Sequence, residues 1–445
     1  MNSLNRLIII GGNAAGMAAV MRARRNRPDM DITVIERSSH ISSANCSIPD
    51  FLAGAIASKD DLFVLTPESV RVDYRINLLT NHNAIDVNAV KREISVQNKA
   101  TSQEFSLPYD RLILATGASP FKPNWPNINS KGVFALRAPH DADALRSFIQ
   151  TQKPRKIVVV GTGTIAQVCA AALHSYGLDI KMIGLTSGLM TDLESTISKR
   201  LYDTLANNNI DLYFTDNLYG IKVSLDNKVI GIEEHGDLHQ CDMVLLAMGV
   251  TPNVDLADSA SISLGKNGAI TVDKHLKTSR ETIYACGDCA ETFHKITHKP
   301  VYWPLATTSA RQGRQAGESA SGGQGQDTGT LTTRIWTCFD LQVGRTGLSV
   351  KQAEEFGIKA SKAEISVDRQ MDMALIYDQN ERLIGAQMAG MRNVHAALNT
   401  LAAAIEGKLT LREIEGLDLG YTPKLSTLWD PIQIAARQGR KQRKS

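Results

Sequence analysis

Two stretches of the chain, about 150 residues apart, repeat one pattern: an apolar run, a tight glycine turn, an alanine-rich helix and a second apolar run. In the first, Leu7-Ile8-Ile9-Ile10 leads into Gly11-Gly12-Asn13-Ala14-Ala15-Gly16. A helix is expected to about Arg25, and Asp31 to Ile35 reads as the next strand, ending on Glu36. Four consecutive apolar residues running into glycines read as a buried parallel strand. Glycines let the backbone turn sharply and approach a pyrophosphate laid on the helix amino terminus. Glu36, 20 residues after Gly16, can accept hydrogen bonds from a ribose. Strand, turn, helix, strand and acid together describe a dinucleotide-binding unit, although Asn13 stands where the fingerprint usually has its middle glycine.

The second unit runs from Ile157-Val158-Val159-Val160 into Gly161-Thr162-Gly163-Thr164-Ile165-Ala166, with a helix toward His174 and a strand over Asp179 to Ile183. Two dinucleotide folds in one chain suggest two nucleotides exchanging electrons. Here the ribose-acid position holds Gly184, which neither binds a 2′-hydroxyl nor pairs with a 2′-phosphate, so NADH against NADPH stays open. Thr186 and Ser187 have hydroxyls able to meet a phosphate, but two hydroxyls in a loop usually cap a turn.

At 445 residues there is room for about three domains of ~150 residues. A third apolar strand over Thr282–Ala285 ends at Gly287-Asp288, where a carboxylate can hold the hydroxyls of a polyol chain. The whole second unit lies between Thr116-Gly117 and Gly249, so the first domain is expected to be discontinuous, residues 1–120 and 251–328 around 121–250. Residues 318–329 read as a linker. Beyond it, 329–445 read as an α+β module with strands near 333–339, 363–366, 373–377 and 383–389. A helix from about Asn393 to Ile405 follows, and its apolar face of Val394, Leu398, Leu401 and Ile405 is expected to bury against a second subunit.

Composition narrows the class. A net charge of +3 is too even for nucleic-acid binding, and Arg437, Arg440, Lys441, Arg443 and Lys444 read as a solvated tail. The run Met243–Met248 falls far short of the ~20 apolar residues that span a bilayer, so no membrane partner is expected. Leu7–Ile10 running into glycines is a strand and not a signal peptide. Six scattered cysteines do not make a disulfide framework, and a reducing cytoplasm is the default. Cys286 and Cys289 form a Cys-x-x-Cys, but no second Cys/His pair lies at zinc spacing, so they read as small core side chains and no metal is expected.

The order of motifs resembles the two-dinucleotide FAD/NAD(P) flavoprotein disulfide reductases, in the single-cysteine branch of coenzyme A disulfide reductase, persulfide reductases, NADH oxidase and NADH peroxidase. The resemblance covers nearly all of the chain and is carried by Gly11–Gly16, Glu36-Arg37, Ser42-Ser43-Ala44-Asn45-Cys46-Ser47-Ile48-Pro49, Leu114-Ala115-Thr116-Gly117, Ala247–Asn253, Tyr284–Ala290, Pro304–Thr308 and Leu417–Pro423. It implies an α/β fold of two doubly wound dinucleotide-binding domains, glutathione-reductase-like, with an α+β carboxyl-terminal dimerisation domain in a homodimer. It implies FAD against Gly11, Ala14, Ala15, Gly16, Glu36, Arg37, Thr116, Gly117, Asp288 and Ala306. NADH or NADPH would lie on Gly161, Gly163, Ala166 and Gly249.

Cys46 follows the first unit at the start of an expected helix, where the helix dipole favours thiolate and nucleophilicity. The next cysteine is Cys169, so the partner sulfur must come from the substrate, or Cys46 must cycle through a sulfenic acid. By resemblance, Asn45 orients the site, Tyr421 of a partner subunit protonates a leaving thiolate, and Arg22, Arg25 and Ser42 meet coenzyme A. Oxidase and peroxidase members of the branch resemble one another in a histidine where this chain has Ala14, which turns the expectation toward a low-molecular-weight disulfide or persulfide. Two alternatives stay open: an NAD(P)H oxidase or peroxidase, and a flavin-binding redox sensor or electron-transfer protein. Asp50 and Lys424-Leu425 depart from the family's site motifs, and Thr164, Val168 and Gly184 change three positions that usually shape the nicotinamide site; NAD(P)H stays the expected reductant, with a weakened site or another electron donor as the alternative.

Overall fold

The structure, a computed structural model, describes residues 5–185, 188–367, 371–424 and 426–442; Thr186, Ser187, Leu425, Arg443 and Lys444 lie outside them. The chain divides into two compact units: Met1–Phe121 with Leu136–Arg146 and Val250–Thr330, and Lys122–Ala135 with Ser147–Gly249 and Leu331–Ser445.

Along the chain, the first unit opens with β1 (Arg6–Ile10), α1 (Ala14–Asn26), β2 (Asp31–Glu36), β3 (Asn77–Thr80) and β4 (Arg111–Leu114). The second unit then supplies β5 (Val133–Ala135), β6 (Lys156–Val160), α2 (Thr164–His174), β7 (Asp179–Gly184), β8 (Asp211–Phe214) and β9 (Met243–Leu246). The chain returns to the first unit with β10 (Ile283–Ala285) and α3 (Ala306–Ala320). It ends in the second with β11 (Arg334–Cys338), β12 (Leu341–Gly347), β13 (Ala360–Val367), β14 (Met371–Asp378), β15 (Leu383–Gly390), α4 (Val394–Glu406) and α5 (Pro431–Gln442).

Each unit contains a parallel five-stranded sheet, in the orders β10-β4-β1-β2-β3 and β8-β7-β6-β9-β5. Parallel strands covered on both faces need unbroken apolar runs. Leu7 to Ile10 and Ile157 to Val160 are buried throughout. The repeat extends to register: Ile10 pairs Ile35 and Val160 pairs Ile183, so Glu36 and Gly184 occupy the same place in their sheets.

In the first unit α1 and α3 pack backbone to backbone. A side-chain carbon on Gly313 would overlap the Ala15 carbonyl, and one on Gly317 the Ala19 carbonyl. Small residues on both helices bring the amino ends of α1 and α3 to one region of the unit. The stretch expected as a linker belongs to this packing. Residues to Ala320 finish α3, and the loop beyond is fastened where Asp327 accepts hydrogen bonds from Thr292 and Gln312.

The carboxyl-terminal sheet is antiparallel, in the order β11-β12-β15-β14-β13. One of its strands, β12, escaped the sequence reading because Gln342, Gly344, Arg345 and Gly347 break the apolar alternation. Gly344 is required there, since Leu398 and Val394 of α4 close over it. That contact corrects an expectation: Val394, Leu398, Leu401 and Ile405 are buried within this unit, and are not a free face for a second subunit. The basic tail is also corrected. Residues 431–442 form α5, and Arg437 and Arg440 both pair with Glu415.

Replacing Gly317 with valine should force α1 and α3 apart at their closest approach. Overpacking of this kind costs about 1–3 kcal/mol. The urea midpoint for loss of helical signal should fall, while Gly420→Ala, with open space around it and no positive φ, should shift it less.

Candidate active site

A cleft of about 570 Å³ opens at the carboxyl ends of the first unit's strands, walled by the Gly11–Asn13 turn, Glu36, Arg37, Ser43, Asn45, Thr116, Gly117, Arg137 and Asn253. Gly11 has φ +106°, and a side chain there would overlap the Ala115 carbonyl, so only glycine allows this turn to press against the end of β4. The turn is tied back by Gly11 N–H donating to the Ile35 carbonyl at 2.9 Å. Glu36 is already oriented: its Oε2 accepts from Gly12 N–H and its Oε1 from Ser38 N–H, each at 2.8 Å. Ala14 is exposed at the start of α1, while Ala15 and Gly16 are buried behind it.

The chemistry of the walls fits a flavin dinucleotide. Asn13 donates through Nδ2 to Ser43 Oγ at 2.9 Å, leaving its buried Oδ1 without a partner. Asn45 likewise keeps a buried Oδ1 without a partner. Buried acceptors left unmatched are costly, and two on one cleft wall suit a hydrogen-bonding ligand. Thr116 and Asn253 lock each other: Thr116 Oγ1 donates to the Asn253 carbonyl at 2.7 Å, and Asn253 Nδ2 to the Thr116 carbonyl at 2.8 Å. Gly287, at φ +81°, turns the chain so that Asp288 follows it beside the amino end of α3, of which Ala306 is the first residue.

Asp288 Oδ1 accepts from Ser309 Oγ at 2.6 Å and Oδ2 from Arg137 Nη2 at 2.5 Å. Arg137 escaped the sequence reading, because it stands in no glycine turn and no cysteine motif. Its one signal is local: Asp141 accepts from the backbone N–H groups of Arg137 and Ala138, fixing the bend that presents the guanidinium.

Cys46 sits in the 3₁₀ turn Asn45–Ser47, just before the short helix Ile48–Leu52, and is the one exposed cysteine of the six. Desolvation raises its thiol pKa above the ordinary value and the Asp288 charge raises it further, while Arg137 pulls it down. The helix that follows has five residues and aligns few peptide dipoles, so the side chains of Asp288 and Arg137 are the charges that bear on the thiol.

Of the residues expected to meet coenzyme A, Ser42 takes φ +51° between Ile41 and Ser43 of the cleft wall, its N–H donating to the Gly12 carbonyl. Arg22 is paired with Glu318, and Arg25 is exposed. Arg24 is committed to structure, donating to four backbone carbonyls between Pro28 and Arg75. Cys286 and Cys289 are free and fully buried in the core, as read from the sequence. Tyr421 belongs to the second unit and is 50% exposed.

The second unit repeats the turn. Gly161, at φ +119°, presses on the Ala247 carbonyl and donates N–H to Ile183 at 2.7 Å. Gly163 caps α2 with open space beside it, Ala166 is buried under the turn, and Gly249 takes φ +97° beyond β9. The Thr164 hydroxyl is buried in the first turn of α2 without a partner. Gln167 braces the turn through Nε2 to the Thr162 carbonyl at 2.8 Å, and its Oε1 accepts from Trp336 Nε1 at 2.7 Å. These features fit a second dinucleotide.

The charges around Cys46 give a test. Asp288 disfavours the thiolate, so Asp288→Asn should lower the pH midpoint for alkylation of Cys46 by iodoacetamide. Arg137→Ala should raise it. Midpoints that stay put in both variants would show that this ion pair does not set the thiol.

A family model described as pyridine nucleotide-disulphide oxidoreductase matches residues 5–313. The chain is 31% identical to an NADH oxidase of Methanocaldococcus jannaschii, over 98% of this chain and 99% of that protein. It is also 31% identical to the CoA-dependent NAD(P)H sulfur oxidoreductase of Pyrococcus furiosus, over 97% and 98%. Among solved structures, an NAD-dependent persulfide reductase from A. fulgidus superposes with a TM-score of 0.94 at 29% identity, over 99% of this chain and 83% of that one. The chain belongs to the pyridine nucleotide-disulphide oxidoreductase family, enzymes that hold FAD and draw electrons from NAD(P)H.

Proposed function

We propose that this enzyme reduces a low-molecular-weight disulfide or persulfide, coenzyme A disulfide first among them, through Cys46 alone. The observation that carries the reading is a lone exposed thiol next to Asn45 on the dinucleotide cleft, with the other five cysteines buried. A resolving sulfur must then come with the substrate. The CoA-dependent and persulfide-reducing relatives support the same class, and free thiols throughout suit a reducing cytoplasm. Among the described residues no helix is long and apolar enough to cross a membrane.

FAD, when bound, supplies the two-electron relay from NAD(P)H to sulfur. The chain's own residues do the rest. The Gly11–Gly16 turn and Glu36 would hold the dinucleotide, and Asp288 would accept hydrogen bonds from its polyol. Cys46 thiolate attacks one sulfur of the substrate disulfide, a Cys46–substrate disulfide forms, and the second sulfur leaves as thiolate. Asn45 orients this exchange, and Tyr421 of a second subunit gives the leaving thiolate its proton. Two electrons and one further proton then cleave the mixed disulfide, releasing the second thiol and restoring the Cys46 thiolate. On this reading the exposed Arg25 would meet a phosphate of coenzyme A.

Reduction of oxygen or peroxide through a Cys46 sulfenate is the second reading, supported by the NADH oxidase relative. Ala14 argues against it, because the first turn carries no imidazole to donate a proton. Anaerobic NAD(P)H consumption with coenzyme A disulfide, a persulfide and peroxide in turn separates the two. Cys46→Ser should keep its flavin and lose sulfur-substrate turnover by at least ~10³-fold, since a serine hydroxyl cannot form the mixed disulfide. Full retention would place the nucleophile elsewhere.

The shared site in a homodimer is tested by mixing. Tyr421, Leu428 and Trp429 are 50%, 69% and 54% exposed, an apolar surface suited to a second copy. Inactive Cys46→Ser and Tyr421→Phe enzymes, once subunits exchange, should recover part of the activity in heterodimers that unite one intact Cys46 with one intact Tyr421. Exchange without recovery would refute the shared site.

A further inference from the structure

The two nucleotide units of this chain are in register, which allows a residue-by-residue comparison within one molecule. Gly11 and Gly161 make the same turn, donating to Ile35 and Ile183, the last residues before Glu36 and Gly184. On the neighbouring strand, Glu36 pairs with Thr80 of β3, and Gly184 with Phe214 of β8. In the first unit the Glu36 carboxylate reaches the turn and takes the Gly12 N–H at 2.8 Å. In the second, the corresponding space is closed. A side-chain carbon on Gly184 would lie 2.7 and 2.9 Å from ring atoms of Phe214 and 3.1 Å from the Thr162 methyl. Where the first unit carries a carboxylate, the second carries a glycine, and a ring from β8 fills the place that a side chain there would need.

We propose that Phe214 is a specificity residue of the nicotinamide site: with Gly184 it makes an apolar floor under the adenosine ribose, and the enzyme accepts NADH and NADPH alike. A carboxylate at this position selects for the 2′-hydroxyl by hydrogen bonding and against the 2′-phosphate by repulsion. Phe214 does neither. It is half-buried beside Gly184, and the methyl of the buried Thr162 closes the other side of the same space. Affinity then comes from the Gly161–Gly163 turn and the amino end of α2, groups that meet the pyrophosphate common to both nucleotides. The proposal rests on the reading that the second unit takes the reductant, and names what that site selects.

The flavin-loaded enzyme is titrated calorimetrically with NAD⁺, NADP⁺, 5′-AMP and 2′,5′-ADP, so the readout is binding and not turnover. Wild type should bind each matched pair with dissociation constants within about tenfold. Gly184→Asp with Phe214→Ala restores both the carboxylate and its space. It should shift the ratio toward NAD⁺ and 5′-AMP by roughly 10- to 100-fold, the worth of a hydrogen bond to a charged group. Phe214→Ala alone, with no carboxylate added, should leave the ratio near its wild-type value. Flavin content and melting temperature report whether each variant is folded, and if the double variant does not fold, the wild-type ratio decides. Wild-type discrimination beyond about 30-fold in either direction overturns the proposal and leaves the second unit as the reductant site. So does a folded double variant with an unchanged ratio. No binding of any of the four ligands overturns the proposal together with that reading.

Discussion

A carbonyl oxygen stands where each glycine turn would otherwise carry a side chain. Ala115 presents it to Gly11 in one unit and Ala247 to Gly161 in the other. Both glycines take a φ near +110°, a backbone conformation that residues with a side chain rarely adopt. Each turn is thereby pressed between two strand ends and aims its helix amino terminus into the space above the sheet. Everything else in the dinucleotide units serves this approach. The buried strands fix the carbonyl, the Gly313 and Gly317 contacts seat α1, and Gln167 with Trp336 brace the second turn.

On that frame the first unit gathers a small set of charges. Asp288, held by Ser309 and Arg137, is close enough to Cys46 for both members of the ion pair to bear on the thiol. Their effects oppose one another, so the reactivity of Cys46 depends on how the pair is divided between the thiol and whatever else enters the cleft. A disulfide-exchange nucleophile benefits from a pKa near the working pH, since a strongly acidified thiol is a poorer nucleophile.

The second unit has its own fixed point. Arg345, 1% exposed, shares the Asp192 carboxylate with Arg334, each at 2.5 Å, and donates as well to Gln352 and the Gly347 carbonyl. Gln387 reaches the Asp192 carbonyl, and Glu194 accepts from Val350 N–H and pairs with Lys362. Residues 192–194, which follow the β7 strand of the nucleotide fold, are thus riveted to the carboxyl-terminal sheet. A buried guanidinium needs a counter-charge, and removing Asp192 would take this carboxylate from both arginines.

The sequence by itself determined the paired dinucleotide units, because a parallel strand, a glycine turn and a terminal acid are local patterns set by backbone sterics and helix ends. Leu7–Ile10, Gly11–Gly16, Glu36 and their counterparts to Gly184 were all legible, as were Cys46, Thr116 and Asp288. Only tertiary structure decided what these residues meet. Arg137 comes to Asp288 from 151 positions away, Phe214 fills the place of an acid that the sequence shows merely as missing, and Arg345 makes a strand of a segment with poor strand residues. The apolar face of α4 was visible too, but periodicity says that a face is buried and not by what. Packing against β12 and β15 answered that, and the charges that bear on Cys46 likewise come from Asp288 and Arg137, distant in the chain. Such outcomes rest on contacts between residues far apart in the chain, which local pattern does not encode.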